Sequence, residues 1–156
     1  MPSSSDAPAI LCAGIAVQDI VFGVDTFPPP GGKRMTHRFM VVLGGCAVNA
    51  AVAIARLGGR AHYAGPLGDA TDSVSNQLAA EMTREGIDTT GIVRVAGATA
   101  PVSGIMVDAA GERMIVTHRD PRIEAATPAD ADALVKDMTL VLADNLVLLF
   151  VGWEGV

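Results

Sequence analysis

Two glycines followed four residues later by an asparagine form the part of this sequence best suited to chemistry. They open the stretch "GGCAVNAAVAIARLGG", Gly44 to Gly59. Within it, Asn49 is the only polar side chain between Gly45 and Arg56 apart from the thiol of Cys46. A glycine pair lets a ligand come close to the backbone, because no Cβ stands in the way. The N–H groups in the first turn of a following helix point at such a ligand. The Asn49 amide adds donors and an acceptor, the equipment for reading neutral hydroxyl groups. Gly44, Gly45 and Asn49 together suit a polyol. The same residues also fit a plainer role, in which the glycines turn the chain and Asn49 makes a local, cap-like bond.

The elements that must hold these residues follow from the apolar pattern. "ILCAGIAV", Ile10 to Val17, is continuously apolar and suits one strand buried on both faces of an α/β sheet. "DIVFGVD" leads into "TFPPPGGKR", whose prolines and glycines exclude regular structure. "RFMVVL" reads as a strand, and the alanine-rich stretch after it as a helix stopped by Gly58 and Gly59. "RAHYAG" is a short strand. "ATDSVSNQLAAEMTREG" is a helix capped by Asp72, with Val74, Leu78 and Met82 on one face and Gly86 at its end. "GIVRV" is a short strand, and "VSGIMVDAAGERMIVTH" a hairpin turning at "DAAGE". "TPADADALVKD" opens a helix with Thr127 as N-cap and Pro128 in the first position, and "MTLVLAD" is another apolar strand. This alternation predicts a parallel sheet with helices on its faces and a ligand site outside the carboxyl ends of its strands. Two β-rich lengths near residues 17–43 and 91–118 stand outside the alternation and read as a separate flap.

With 156 residues, half of them hydrophobic, the chain can build one domain with a real core. A net charge of −6 argues against a nucleic-acid surface, which needs a basic footprint. Cys12 and Cys46 lack metal-ligand spacing and read as buried thiols of a reducing compartment. The start, "MPSSSDAPA", has no basic segment or apolar core of a signal peptide, and the longest apolar run, Leu146 to Val151, is too short to span a bilayer. These features predict a cytoplasmic protein with no membrane and no nucleic-acid partner.

The longer pattern is more specific. Gly44-Gly45-Cys46-Ala47-Val48-Asn49 is followed by Ala51, then Gly58 after six intervening residues, then Gly68 after nine more. This resembles the N-terminal signature of the PfkB family of carbohydrate kinases, and the likeness extends from Ile10 to about Asn145. It implies an incomplete ribokinase-like three-layer core, a parallel sheet with helices on both faces and a small β-sheet lid. Residues 1–9 would be a loose tail and 146–156 an atypical one. "GIAVQD" is similar to the family's first strand, which makes Asp19 the acceptor of hydrogen bonds from two sugar hydroxyls. Gly44 and Gly45 would lie against the sugar, Asn49 would bond a hydroxyl, and Asn145 would add another polar sugar contact. "PPPGGKRMTHRF" and "SGIMVDAAGERMIV" resemble the two halves of the lid. Lys33, Arg34, His37 and Arg38 cluster there, and a cation over the sugar would favour an anionic substituent. The "GGK" and the later hairpin resemble the sulfofructose-kinase branch most; the plainer reading is a lid charge that keeps an exposed strand soluble. His118, Arg119 and Arg122 follow the hairpin and can join that cluster, while His62 reads as structural. The lid's apolar face, including Phe39, Val41 and Met106, implies cover by a second copy in a homodimer.

The resemblance also shows what these 156 residues lack. There is no P-loop, and the family instead binds ATP and Mg²⁺ through its C-terminal half, where an Asp-Thr-x-Gly-Ala-Gly-Asp motif supplies an anion hole and the catalytic base. No such motif occurs here. The expectation is the substrate-binding half of an ATP-dependent sugar kinase, with no catalytic residue in this chain. The alternative is a non-catalytic sugar- or nucleoside-binding module. A dinucleotide-dependent oxidoreductase is poorly supported, since no G-x-G-x-x-G follows the first strand. After "VLADN" the likeness stops near Leu146, where that branch expects an arginine, and "LVLLFVGWEGV" matches nothing expected. A frameshift or early stop in the coding sequence would produce this, and the chain as given is then expected to phosphorylate no sugar. Translating the DNA downstream of codon 145 in all three frames checks it. A Gly-Ala-Gly-Asp motif in a shifted frame is the expected result, and its absence would favour the binding module.

Overall fold

The computed structural model describes residues 7–124, 126, 128 and 130–143. They fold into two four-stranded sheets. The first holds β1 (Ala9–Ala13), β4 (Arg60–Leu67), β5 (Asp88–Arg94) and β8 (Leu140–Ala143), in the order β5-β4-β1-β8 and parallel throughout. The second holds β2 (Val17–Gly23), β3 (Arg38–Gly44), β6 (Val102–Val107) and β7 (Arg113–His118), in the order β3-β2-β6-β7. Here β2 runs parallel to β6, and β3 and β7 pair antiparallel at the edges. Helices α1 (Cys46–Arg56) and α2 (Ser73–Arg84) are the long ones; α3 (Pro121–Glu124) and α4 (Ala131–Val135) are single turns.

The core lies on one face of the parallel sheet. Ala61, Tyr63 and Leu67 alternate onto that face of β4 and pack against Ala47, Val48 and Ala51 of α1 and Leu78 and Met82 of α2. The small residues of α1 let its backbone come close to the sheet. Leu78 and Met82 are almost wholly buried, and each such burial contributes about 1.5–3 kcal/mol. No helix of the described residues is long and apolar enough to cross a membrane.

Several expectations need correction. The run Ile10 to Val17 is two strands, not one. Gly14 still donates to the Ala64 carbonyl, but the chain then leaves the parallel sheet and enters the lid at Val17. Both halves are apolar because both are packed, so hydrophobicity alone does not mark the break. Residues 91–94 belong to β5, at the edge of the core sheet, so the second lid segment is the hairpin from Val102 to His118. Helix α4 is capped by Asp130, which accepts from the Ala133 N–H at 2.9 Å; Thr127 lies outside the described residues. Cys12 is buried as expected, but Cys46 is exposed.

The lid has two distinct faces. Phe39, Val41 and Met106 share one of them with Phe22, whose ring lies 5.5 Å from that of Phe39. Asp19 is on the other, in one row with Val42 of β3, Ser103 of β6 and Thr117 of β7.

The turn between β4 and α2 ties lid to core. Asp72 caps α2 by accepting from the Ser75 N–H at 2.9 Å, and the same oxygen accepts from the Ala100 N–H at 3.1 Å. Asp69 accepts from the Gly97 N–H at 2.7 Å, and the Ser75 hydroxyl oxygen accepts from Gly68 at 2.8 Å. Residues 97–100 lead directly into β6, so these bonds set where the lid hairpin begins. Asp72→Ala removes a cap and leaves the Ala100 N–H without its partner. It should lower stability by about 1–2 kcal/mol in urea unfolding, against a few tenths for an exposed surface change.

Candidate functional site

The order in which strands join the core sheet reverses at β1. The chain steps from β1 to β4 to β5, and β8 then lands on the opposite side of β1. Such a switch opens a crevice at the carboxyl ends of the strands. A hollow of about 820 Å³ lies there. Its floor is a row of alanines in register, Ala64, Ala13 and Ala143, and Gly45 and Cys46 at the start of α1 form part of its wall. Tyr63, buried behind it, donates from its hydroxyl to the Gly14 carbonyl at 2.8 Å and fixes the end of β1.

Asp19 and Gly44 do not themselves line the hollow, but their near neighbours in the chain, Val17 and Gly45, do. Asp19 lies two residues along β2 from Val17, on the same face. Val17 pairs with Gly44, and a Cβ on Gly44 would overlap the Asp19 carboxylate. Gly45 follows with φ of 104°, in the region that favours glycine, and a Cβ there would overlap the Ile15 carbonyl oxygen. Gly45 is also the N-cap of α1, and no side chain caps that end. The glycine pair therefore brings the carboxylate and the start of the helix together, with N–H groups of the first turn left for a ligand. Burial pushes the Asp19 carboxyl above its ordinary value, while the Ser103 hydroxyl, donating to it, pulls the other way.

The other sequence candidates are placed as follows. Asn49 is exposed, one turn into α1, and its N–H donates to the Gly45 carbonyl at 2.9 Å. It does not cap the helix with its side chain. Nor does it line the larger hollow; it borders a smaller one of about 380 Å³ beside Val41 to Leu43. The structure thus unites Asp19, Gly44 and Gly45, with Asn49 a turn away. Lys33 is exposed on the irregular connection between β2 and β3 and does not line the hollow. In the same cluster, His37 faces Asp25 at 3.8 Å. Arg38 pairs with Gly23, four residues and about 13 Å along β2 from Asp19. Arg119 does line the hollow, bonded to Glu124 at 3.1 Å. Arg122 is held by Asp120 through contacts of 3.0 and 2.6 Å, which keep the Asp120 carboxyl well below its usual range. His118 is exposed at the end of β7, and His62 lies 3.6 Å from Asp88. Asn145 lies outside the described residues. Sequence reasoning missed Ser103 and Thr117, because isolated hydroxyls in a strand carry no spacing signal.

Comparison with known proteins identifies the family and the fold. The model of the pfkB family carbohydrate kinases matches residues 7–150, so the chain belongs to that family. It is 33% identical to fructokinase-1 of Zea mays over 109 residues, which cover 69% of this chain and 33% of that protein. The chain spans about a third of the length of the curated relatives it matches. Among solved structures it is similar to the fructokinase of Xylella fastidiosa with bound ATP, with 30% identity and a TM-score of 0.68 over 88% of this chain and 42% of that one. The ribokinase of Giardia lamblia gives 27% identity and a TM-score of 0.71, covering 94% of this chain and 49% of that one. The fold is ribokinase-like.

Gly45→Ala tests the junction. The left-handed backbone and the overlap with Ile15 should lower stability by about 1–3 kcal/mol in denaturant unfolding. Gly58→Ala is the control: it too has positive φ, but no atom lies within 4 Å of its added Cβ. The difference between the two isolates the close approach, and equal losses would mean that backbone strain alone demands glycine at position 45.

Proposed function

We propose that this chain carries the acceptor side of an ATP-dependent sugar kinase, the half that holds the sugar whose hydroxyl is phosphorylated. The observation that supports it best is the Asp19 carboxylate packed on Gly44, next to Val17 and Gly45, which line the switch-point hollow. An ionised carboxylate only accepts hydrogen bonds, which suits two sugar hydroxyls. Gly45 lines the hollow in which the sugar ring would lie, Gly44 seats the Asp19 carboxylate beside it, and the Asn49 amide, one turn along α1, is assigned a further hydroxyl. ATP, with Mg²⁺, would supply the phosphoryl group; no residue of this chain is assigned to either. If the substrate carries an anionic substituent, Arg119 is better placed than Lys33 to meet it, because it lines the hollow. The relatives named as fructokinases and ribokinases support a neutral ketose or pentose as first candidates.

Calorimetry with D-fructose and with D-ribose, each with and without ATP, tests the reading. Sugar binding by this chain that is abolished by Asp19→Ala is the expected result. Sugar binding indifferent to Asp19→Ala would overturn the site. In a chain that also contains the nucleotide half, Asn49→Ala should cost about 0.5–1.5 kcal/mol in kcat/KM for the sugar and leave ATP affinity unchanged. The opposite pattern would place Asn49 on the nucleotide side.

A further inference from the structure

Three hydroxyl- and carboxyl-bearing side chains stand in one row across the lid. Asp19 on β2 is in register with Ser103 on β6, and Ser103 is in register with Thr117 on β7. All three therefore project from the same face of the sheet. Ser103 is buried, with 6% of its surface exposed, and its Oγ lies 3.0 Å from the Thr117 Oγ1. The direction of the bonds follows from valence. An ionised Asp19 can only accept, so the single Ser103 hydroxyl hydrogen points to it. Ser103 then has only lone pairs left for Thr117, and Thr117 must be the donor in that pair.

We propose that Ser103 is a positioning residue for the sugar kinase reaction: held from behind by Thr117, its hydroxyl fixes the Asp19 carboxylate for the sugar. The proposal rests on the reading of Asp19 as the sugar acceptor. It adds that the second lid hairpin, β6 to β7, takes part in sugar binding without touching the sugar. Asp19 has few other anchors. Across the sheet on its face stand Val42 from β3 and Ser103 from β6, and neither is charged. The start of α1 brings only the Cys46 thiol to the hollow. Arg119, two residues beyond Thr117, lines the hollow but is bonded to Glu124 at 3.1 Å, and on the lid face Arg38 and Arg113 lie four residues from Val42 and Thr117. Among the described residues Asp19 makes no ion pair, and the Ser103 hydroxyl is the side chain that bonds its carboxylate. Burial and Ser103 act on Asp19 in opposite senses, so loss of the hydroxyl should make the carboxyl protonate at higher pH. A protonated Asp19 has fewer acceptor positions for sugar hydroxyls, and the acid limb of sugar affinity should rise with it.

The test has two readouts. Carbon-detected NMR of aspartate carboxyls, with the Asp19 signal assigned through Asp19→Asn, follows its titration with no ligand present. D-fructose and D-ribose affinities measured from pH 5 to pH 8 follow the site. Ser103→Ala should move the Asp19 titration to higher pH and weaken sugar binding about two- to tenfold at neutral pH. Ser103→Thr, which keeps the hydroxyl, should restore both. Thr117→Val, an exposed change that leaves Ser103 in place, should produce the same shifts in weaker form. An Asp19 titration unmoved by both Ser103→Ala and Thr117→Val would overturn the proposal. So would a loss of affinity in Ser103→Ala with no change in the acid limb, because a purely structural role would give that result. If Asp19→Ala leaves sugar affinity unchanged, the reading of Asp19 itself fails, and the NMR result then stands apart from it.

Discussion

Everything at the site depends on a missing side chain. The strand that ends the first lid segment becomes the first core helix across Gly44 and Gly45, and this junction must cross the link between β1 and β2 in contact. A methyl group at Gly44 would occupy the space of the Asp19 carboxylate, and one at Gly45 would occupy that of the Ile15 carbonyl. Interiors are close-packed, so such overlaps move the backbone and are not absorbed by small shifts. The consequence is functional as much as structural. The same pair of glycines that lets two sheets meet also puts a carboxylate and a free helix N-terminus beside one hollow.

The energetics separate what holds the core from what holds the lid. Around the parallel sheet, wholly buried side chains such as Tyr63, Leu67, Val48 and Met82 dominate, each contributing kilocalories through lost contact with water. The Arg56 to Glu85 pair between α1 and α2 has good geometry, at 2.7 and 2.8 Å, but the arginine is largely exposed, and such pairs contribute about 0–1 kcal/mol. It therefore adds little to what packing already decides. The lid lacks such a core. Every residue of β7 is exposed, and Phe39 and Val116 expose more than half their surface. What fixes it is local and polar: the ladder itself, the Asp69 and Asp72 bonds to residues 97–100, and the row from Asp19 to Thr117. An element held in this way is the natural one to move when a ligand arrives.

The readable part of the sequence was the part where local chemistry agrees with the global fold. The glycine pair, the alanine-rich helix, the Asp72 cap and the Val74, Leu78, Met82 stripe each signal their own element and sit where the pattern put them. The unread part was decided by tertiary position. Nothing in "ILCAGIAV" tells that Ala13 ends a core strand and Val17 starts a lid strand, because both neighbours are buried by different sheets. Residues 91–94 look like lid by their mixed polarity and are the core's edge strand instead, where one side is open to water. Cys46 looked buried by its neighbours in sequence, but the first position of α1 faces the hollow. The basic cluster around Lys33 was visible as composition only. Register places Arg38 well away from Asp19, and the hollow's cation proves to be Arg119, beyond the second hairpin.

The carboxylates distinguish structure from function. Asp69 is pulled down to about 2 by the Gly97 N–H and by Thr71, and Asp120 is lowered by Arg122. Asp72 is lowered although burial opposes it, through Ser75 and Ala100, and Asp88 is lowered by Thr90. Each of these acids is better solvated by the fold than by water. Their contribution is present above the ordinary carboxylate range and fades as pH falls through it towards their folded values. Asp19 runs the other way. Its carboxyl is raised, so the fold disfavours its charge, and ionised Asp19 lowers stability at neutral pH. That direction fits the proposed role of an acceptor for hydroxyl donors. In the proposed reading, sugar hydroxyls are the further donors to this carboxylate.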